Sequence, residues 1–113
     1  IDLGIIKSKK QEAIDKGEYS KFYMHRIGHW LGMDVHDVGS YKQDGDWRDL
    51  EPGMVMTIEP GIYILDSLEG VEDKWKGIGV RIEDDVLVTK KGLEVLTSDI
   101  PRSIEEVENT VQS

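Results

Sequence analysis

At 113 residues, with 38% hydrophobic and 33% charged residues, the chain has the length and composition of one soluble globular domain, able to bury roughly two-thirds of the surface its unfolded form exposes. A formal net charge of -9 argues against a nucleic-acid partner, which draws on clustered Lys and Arg, and no apolar run approaches the roughly eighteen residues of a membrane span. With no cysteine there is no disulfide framework and no thiolate metal site, which fits a cytoplasmic protein, and the acidic balance permits a cation site without diagnosing one.

The chain opens on Ile1 with no basic-then-apolar leader, so it reads as a piece of a longer protein without a signal peptide. Ser8 followed by Gln11 has capping-box spacing and Gly17 supplies a stop, which predicts a short helix over Lys9–Lys16 with a thin apolar face. From Tyr19 to Gly39 the pattern predicts a short strand near Lys21–His25 that runs into a loop. Tyr41–Gly53 is polar and turn-rich, a surface connection. Met54–Leu65 holds two β-prone runs joined across Pro60 and Gly61. Further strands are predicted at Gly79–Glu83, Val86–Thr89 and Leu93–Leu96, with turns at Asp84-Asp85 and Lys90–Gly92. Ser103 and Glu106 repeat the capping-box spacing, and Ile104, Val107 and Val111 mark the inner stripe of a closing helix. The expected fold is a strand-dominated antiparallel α+β unit covering residues 1–113 as one piece.

All three histidines, His25, His29 and His36, fall within twelve positions, interleaved with Gly28, Gly32 and Gly39 and close to Asp34 and Asp37. One histidine is usually structural; three among glycines that admit a close ligand suggest a site. Strand parity places Glu59 with Val55 and Thr57 at the end of an apolar strand, where an ionised carboxylate needs a positive partner unless it faces solvent. The same parity sets Arg81 and Glu83 on one face, with an exposed ion pair as the plainer reading. Imidazole with two carboxylates suits zinc, manganese, cobalt or iron(II), but separations of thirty and twenty-four residues between His29, Glu59 and Glu83 follow no local rule.

Three ordered blocks, "MHRIGHWLGMDVHDVG", "LEPGMVMTIEPGIYI" and "GIGVRIEDDVLVT", resemble consecutive motifs of the metal-dependent aminopeptidase P and prolidase family, which has the pita-bread fold; the likeness runs from about Phe22 to Glu108. The short loop between Ile64 and Gly77 is more like bacterial Xaa-Pro aminopeptidases than prolidases. The resemblance implies that His29, Glu59 and Glu83 are metal ligands, Glu83 bridging two ions. It implies that His36 contacts the carbonyl of the scissile bond, that His25 helps stabilise the intermediate, and that Arg81 hydrogen-bonds within the carboxylate cluster. Implied cofactors are two divalent cations, manganese before zinc or cobalt, acting on a peptide with proline at its second position. A metal-activated hydroxide would attack the Xaa-Pro bond, with Glu59 taking the water's proton.

The family's dinuclear site also needs two aspartates from an earlier strand pair, and Asp2 and Asp15 occupy no matching motif. The resemblance thus implies the C-terminal half of a pita-bread catalytic domain, without its N-terminal half or a further N-terminal domain, inactive alone and self-associating through surface left uncovered. Alternatives are an Xaa-Pro dipeptidase, a non-catalytic binding module of the same fold, and a non-haem iron site built from His25, His29 and one glutamate.

Overall fold

The computed structural model describes residues 1–112. Its elements in chain order are α1 (Lys10–Asp15), β1 (Lys42–Gln43), β2 (Asp46–Trp47), β3 (Val55–Ile58), β4 (Gly61–Ile64), β5 (Ile78–Arg81), β6 (Asp84–Thr89), β7 (Gly92–Val95) and α2 (Ile104–Gln112), with 3-10 turns at Glu18–Lys21 and Asp73–Trp75. All strand pairings are antiparallel, so the expected α+β class with antiparallel sheet and flanking helices holds. The elements sort into two compact units, Ile1–Arg26 with Pro60–Arg81, and Ile27–Glu59 with the chain from Ile82 onward.

The first unit carries α1, both 3-10 turns and the β4–β5 pair, around a core of Phe22, Ile64 and Val71 with Ile5, Ile6, Leu68 and Trp75 against it. Its helix is shorter than the spacing predicts, and the Ser8–Gln11 capping box does not form. Lys9 takes the cap position in extended backbone, which leaves Ser8 one residue too early, and the Ser8 hydroxyl instead donates to Glu18 at 2.9 Å. The stop at Gly17 is as expected, with φ at 63°. The strand expected at Lys21–His25 is absent: i to i+3 bonds from Ser20 to Gly17 and from Phe22 to Tyr19 wind the chain into a turn that drops Phe22 into the core.

In the second unit, the expected plain connection at Tyr41–Gly53 contains the β1–β2 hairpin. Asp44 and Gly45 both have positive φ, 53° and 95°, the backbone that a tight two-residue hairpin turn requires. β3 and β4 form where the two β-prone runs predict them, but Pro60 separates them into different sheets: β3 pairs with β6, and β4 with β5. β6 is the middle strand of β3-β6-β7. The predicted turn at Asp84-Asp85 is instead the start of β6, because both residues pair with β3, Asp84 with Ile58 and Asp85 with Thr57. Lys90-Lys91 turns the chain from β6 to β7, and the Thr89 hydroxyl donates to the Gly92 carbonyl at 2.9 Å while accepting from the Lys91 N–H at 3.2 Å. Thr57 and Val86 are the most deeply buried residues here, at 1% and 2% exposure.

The capping box of α2 forms as the sequence predicts. The Ser103 N–H donates to Glu106 Oε2 at 2.9 Å, and the Glu106 N–H returns to the Ser103 hydroxyl at 3.2 Å. These bonds, the Ser103 backbone donor first, lower the Glu106 pKa below the usual carboxylate value. The predicted inner stripe is not inside, since Ile104, Val107 and Val111 are all exposed. Apolar spacing records an amphipathic helix without saying what covers it. No described helix is long and apolar enough to cross a membrane.

Candidate metal centre

The chain from Ile27 to Leu31 lies along the free side of β3. Glu59 N–H donates to Ile27 O at 2.7 Å, Thr57 N–H to His29 O at 2.9 Å and Leu31 N–H to Val55 O at 3.1 Å, with Trp30 bridged to Met56. This register sets His29 opposite Thr57, so alternation along the strands brings His29, Thr57 and Glu59 to one face. On the other side of β3 the last ladder pair is Ile58 with Asp84, and one step further Glu59 and Glu83 stand opposite each other. Three residues far apart in sequence thus meet at one end of three neighbouring segments.

Among the described residues, His29, Glu59 and Glu83 form the group whose ligand atoms lie close enough to hold a metal ion, all within 4.8 Å of one another. His29 Nε2 is 3.3 Å from Glu59 Oε1, and the two side chains are only 16% and 13% exposed, so Glu59 is not the solvent-facing strand end that plain parity allows. His29 Nδ1 lies 3.0 Å from the Trp30 carbonyl oxygen, which can only accept, so Nδ1 carries a proton and Nε2 is the ring nitrogen available to a cation. Two carboxylates and an imidazole held in its ligating tautomer fit a divalent cation of hard to borderline character.

The sequence reading missed Thr57. Its hydroxyl accepts the His29 N–H at 3.1 Å and donates to Glu59 Oε1 at 3.3 Å, joining the backbone of one candidate ligand to the carboxylate of another. A signal existed, because Thr57 shares the parity of Glu59 in an apolar strand, where a buried hydroxyl needs partners. Gly28 permits the close approach of the 27–31 segment, since a Cβ built there would fall 2.0 Å from the Thr57 carbonyl oxygen.

His36 belongs to the same unit. Its exposed ring meets that of His29 edge to face, with centroids 4.3 Å apart. The loop carrying it is stapled by Asp37, whose carboxylate accepts the Met33 and Val38 N–H groups at 3.2 and 2.9 Å and whose own N–H donates to Trp30 O at 3.0 Å. Trp30 is buried and stacks on Tyr41 at 5.3 Å.

His25 and Arg81 lie in the other unit. His25 Nδ1 donates to the Arg26 carbonyl at 2.7 Å, and Nε2 accepts from the Tyr63 hydroxyl at 2.7 Å, with edge-on ring contacts to Tyr23 and Tyr63. Both ring nitrogens are therefore engaged in hydrogen bonds. Tyr63 was a further residue the sequence reading did not single out. Arg81 ends β5 opposite Gly61 and is exposed. The expected shared strand face of Arg81 and Glu83 is not formed, because the chain leaves β5 at Arg81 and enters β6 at Asp84, leaving Ile82 and Glu83 outside either ladder.

Residues 2–90 match the model of metallopeptidase family M24, and the chain belongs to that family. It is 53% identical over 109 residues to the Xaa-Pro aminopeptidase of Haemophilus influenzae, matching 96% of this chain and 25% of that protein, and 49% identical to the Xaa-Pro aminopeptidase of Escherichia coli, matching 96% and 24%. Among solved structures it is similar to the Pseudomonas aeruginosa aminopeptidase PepP, with a TM-score of 0.92 and 56% identity over 98% of this chain and 25% of that one. It is likewise similar to E. coli aminopeptidase P with the inhibitor Pro-Leu, with a TM-score of 0.87 and 49% identity over 96% and 24%. The chain spans about a quarter of the length of the curated relatives it matches.

Proposed function

We propose that this chain is the C-terminal half of a pita-bread catalytic domain and supplies three ligands, His29, Glu59 and Glu83, to the dinuclear site of a cytoplasmic Xaa-Pro aminopeptidase. The observation that carries this reading is the convergence of those three ligand atoms within 4.8 Å, on the positions that the family resemblance marks as ligands. Zn-substituted E. coli aminopeptidase P in complex with product is among the similar structures, at 49% identity. A donor set of oxygens and one imidazole, without thiolate, favours manganese, with zinc and cobalt as competitors.

Divalent cations at such a site acidify a bound water and polarise a carbonyl. Glu59, beside the Thr57 hydroxyl, takes the proton of the attacking water. His36, resting against the His29 ring, donates to the oxygen of the scissile carbonyl as charge develops there. His25, held in one tautomer between Arg26 O and Tyr63, supports the intermediate, and Arg81 orients the carboxylates through its planar donors. The substrate is a peptide with proline in second place. Three ligands are too few for two cations, so the chain alone binds metal weakly and does not hydrolyse peptide. Its many exposed apolar residues, Ile62, Val80 and Leu93 among the strands, favour self-association.

The test is calorimetric titration of the chain with Mn2+ and Zn2+, alongside His29→Ala, Glu59→Gln and Glu83→Gln. Binding weakened in all three variants supports the ligand set, and binding unchanged in any one removes that residue from it. Release of the N-terminal residue from an Xaa-Pro peptide by this chain alone would overturn the inactivity.

A further inference from the structure

We infer that Thr97 and Arg102 are positioning residues for Glu83, acting through Asp84; the inference rests on the reading of Glu83 as a metal ligand. Glu83 directly precedes β6, so the residue that anchors the chain immediately after it bears on where its carboxylate is presented. That residue is Asp84, the first of β6. The β6–β7 register pairs Val86 with Val95, and two steps further sets Asp84 opposite Thr97. The Thr97 hydroxyl donates to Asp84 Oδ1 at 2.8 Å and accepts the Asp85 N–H at 3.1 Å, gripping a side chain and the next backbone group at once. Arg102, just before α2, places Nη1 at 2.9 Å from both Asp84 oxygens and donates from Nη2 to the Ser98 carbonyl at 3.1 Å.

Alternation along β6 turns Asp84 to the face opposite Glu83 and Asp85. The clamp thus holds the strand from behind while Glu83 projects toward Glu59 and His29. β6 would still pair with β3 and β7 without it, but the strand end that presents the carboxylate would fray, and a ligand carboxylate displaced by even part of an ångström loses its share of a shared ion. The Arg102 and Thr97 contacts converge on one residue, the first of β6 and the one directly after the candidate ligand.

The test is the Zn2+ affinity of the whole 113-residue chain, measured against a competing chromophoric chelator, with circular dichroism to verify the fold. Thr97→Val should weaken binding by about 10-fold or more, as altering a group that supports a ligand does, and Thr97→Ser should restore it. The reading that separates positioning from general stability is the Glu83→Gln background, in which Thr97→Val should weaken binding no further. Thr97→Val binding as tightly as the unaltered chain, or losing the same factor with Glu83→Gln present, would overturn the inference while leaving the ligand set standing. Glu83→Gln without effect on affinity would overturn the ligand reading and this inference with it. Should Thr97→Val not fold, Arg102→Ala, which removes both contacts to the Asp84 carboxylate, carries the same comparison.

Discussion

Glu59 and Glu83 stand opposite one another one step beyond Ile58 and Asp84, the last paired residues of β3 and β6. Like charges directly across a strand pair repel, and a cation between them converts the repulsion into binding energy. Saturating divalent metal should therefore stabilise the chain, by about 2.7 kcal/mol at a free concentration 100 times Kd, an increase in Tm on the order of 10 °C for a chain of this size. Chelator should reverse it. Glu83→Gln should shrink the metal-induced increase in a thermal melt, and an undiminished increase would place the cation elsewhere.

Gly28 sets how closely the histidine-bearing segment lies on β3. The 2.0 Å approach of a would-be Cβ to the Thr57 carbonyl oxygen is against backbone, which cannot swing aside like a flexible side chain. Gly28→Ala should force the 27–31 segment off β3, destabilise the chain by about 1–3 kcal/mol and move His29 away from Glu59. Denaturant melts and metal titration read the two effects separately. Wild-type values for both would mean that the segment relaxes without moving His29.

The positions of the strands around the site were legible from β-branched runs punctuated by proline and glycine, and so was the capping box of α2, where Ser103 and Glu106 are spaced to satisfy each other. What proximity in sequence could not give is register. His29 meets Glu59 because a non-ladder segment lies on the free edge of β3, and Glu83 meets it because β6 begins at Asp84 rather than turning there. Both facts are properties of pairing between distant segments; the family resemblance marked the three ligand positions but not the register that joins them. Thr57, Thr97 and Arg102 escaped notice for the same reason, since a hydroxyl or guanidinium acts here through partners that only the folded sheet brings near. Asp44-Gly45 was a different kind of miss, because its turn chemistry is local and readable.

Glu106 gives a pH prediction of definite sign. Its folded pKa is lowered, chiefly by the Ser103 backbone donor and then by the Ser103 hydroxyl. A carboxylate lowered on folding contributes stability at pH above its ordinary range, and that contribution is lost as pH falls through the lowered folded value. The helicity of α2 should accordingly decline on acidification from the usual glutamate range down through the lowered folded value. Ser103→Ala should raise the Glu106 titration toward the ordinary value, read from its side-chain carboxyl carbon by NMR. An unchanged titration would mean that the backbone donors alone hold the carboxylate.

Thr57 links two candidate ligands through a hydroxyl that is 1% exposed. Thr57→Val keeps the shape and removes the oxygen, leaving the His29 N–H without its acceptor and Glu59 Oε1 without its donor. Loss of the buried bonds should cost about 1–3 kcal/mol in stability. The more telling readout is metal affinity, which should fall by about 10- to 100-fold because the imidazole and the carboxylate lose their common brace. Thr57→Ser retains the oxygen and should keep most of the affinity while losing some stability through the missing methyl. If Val and Ser were equal in affinity, the hydroxyl would be a packing device for the strand, and His29 and Glu59 would be placed by backbone register alone.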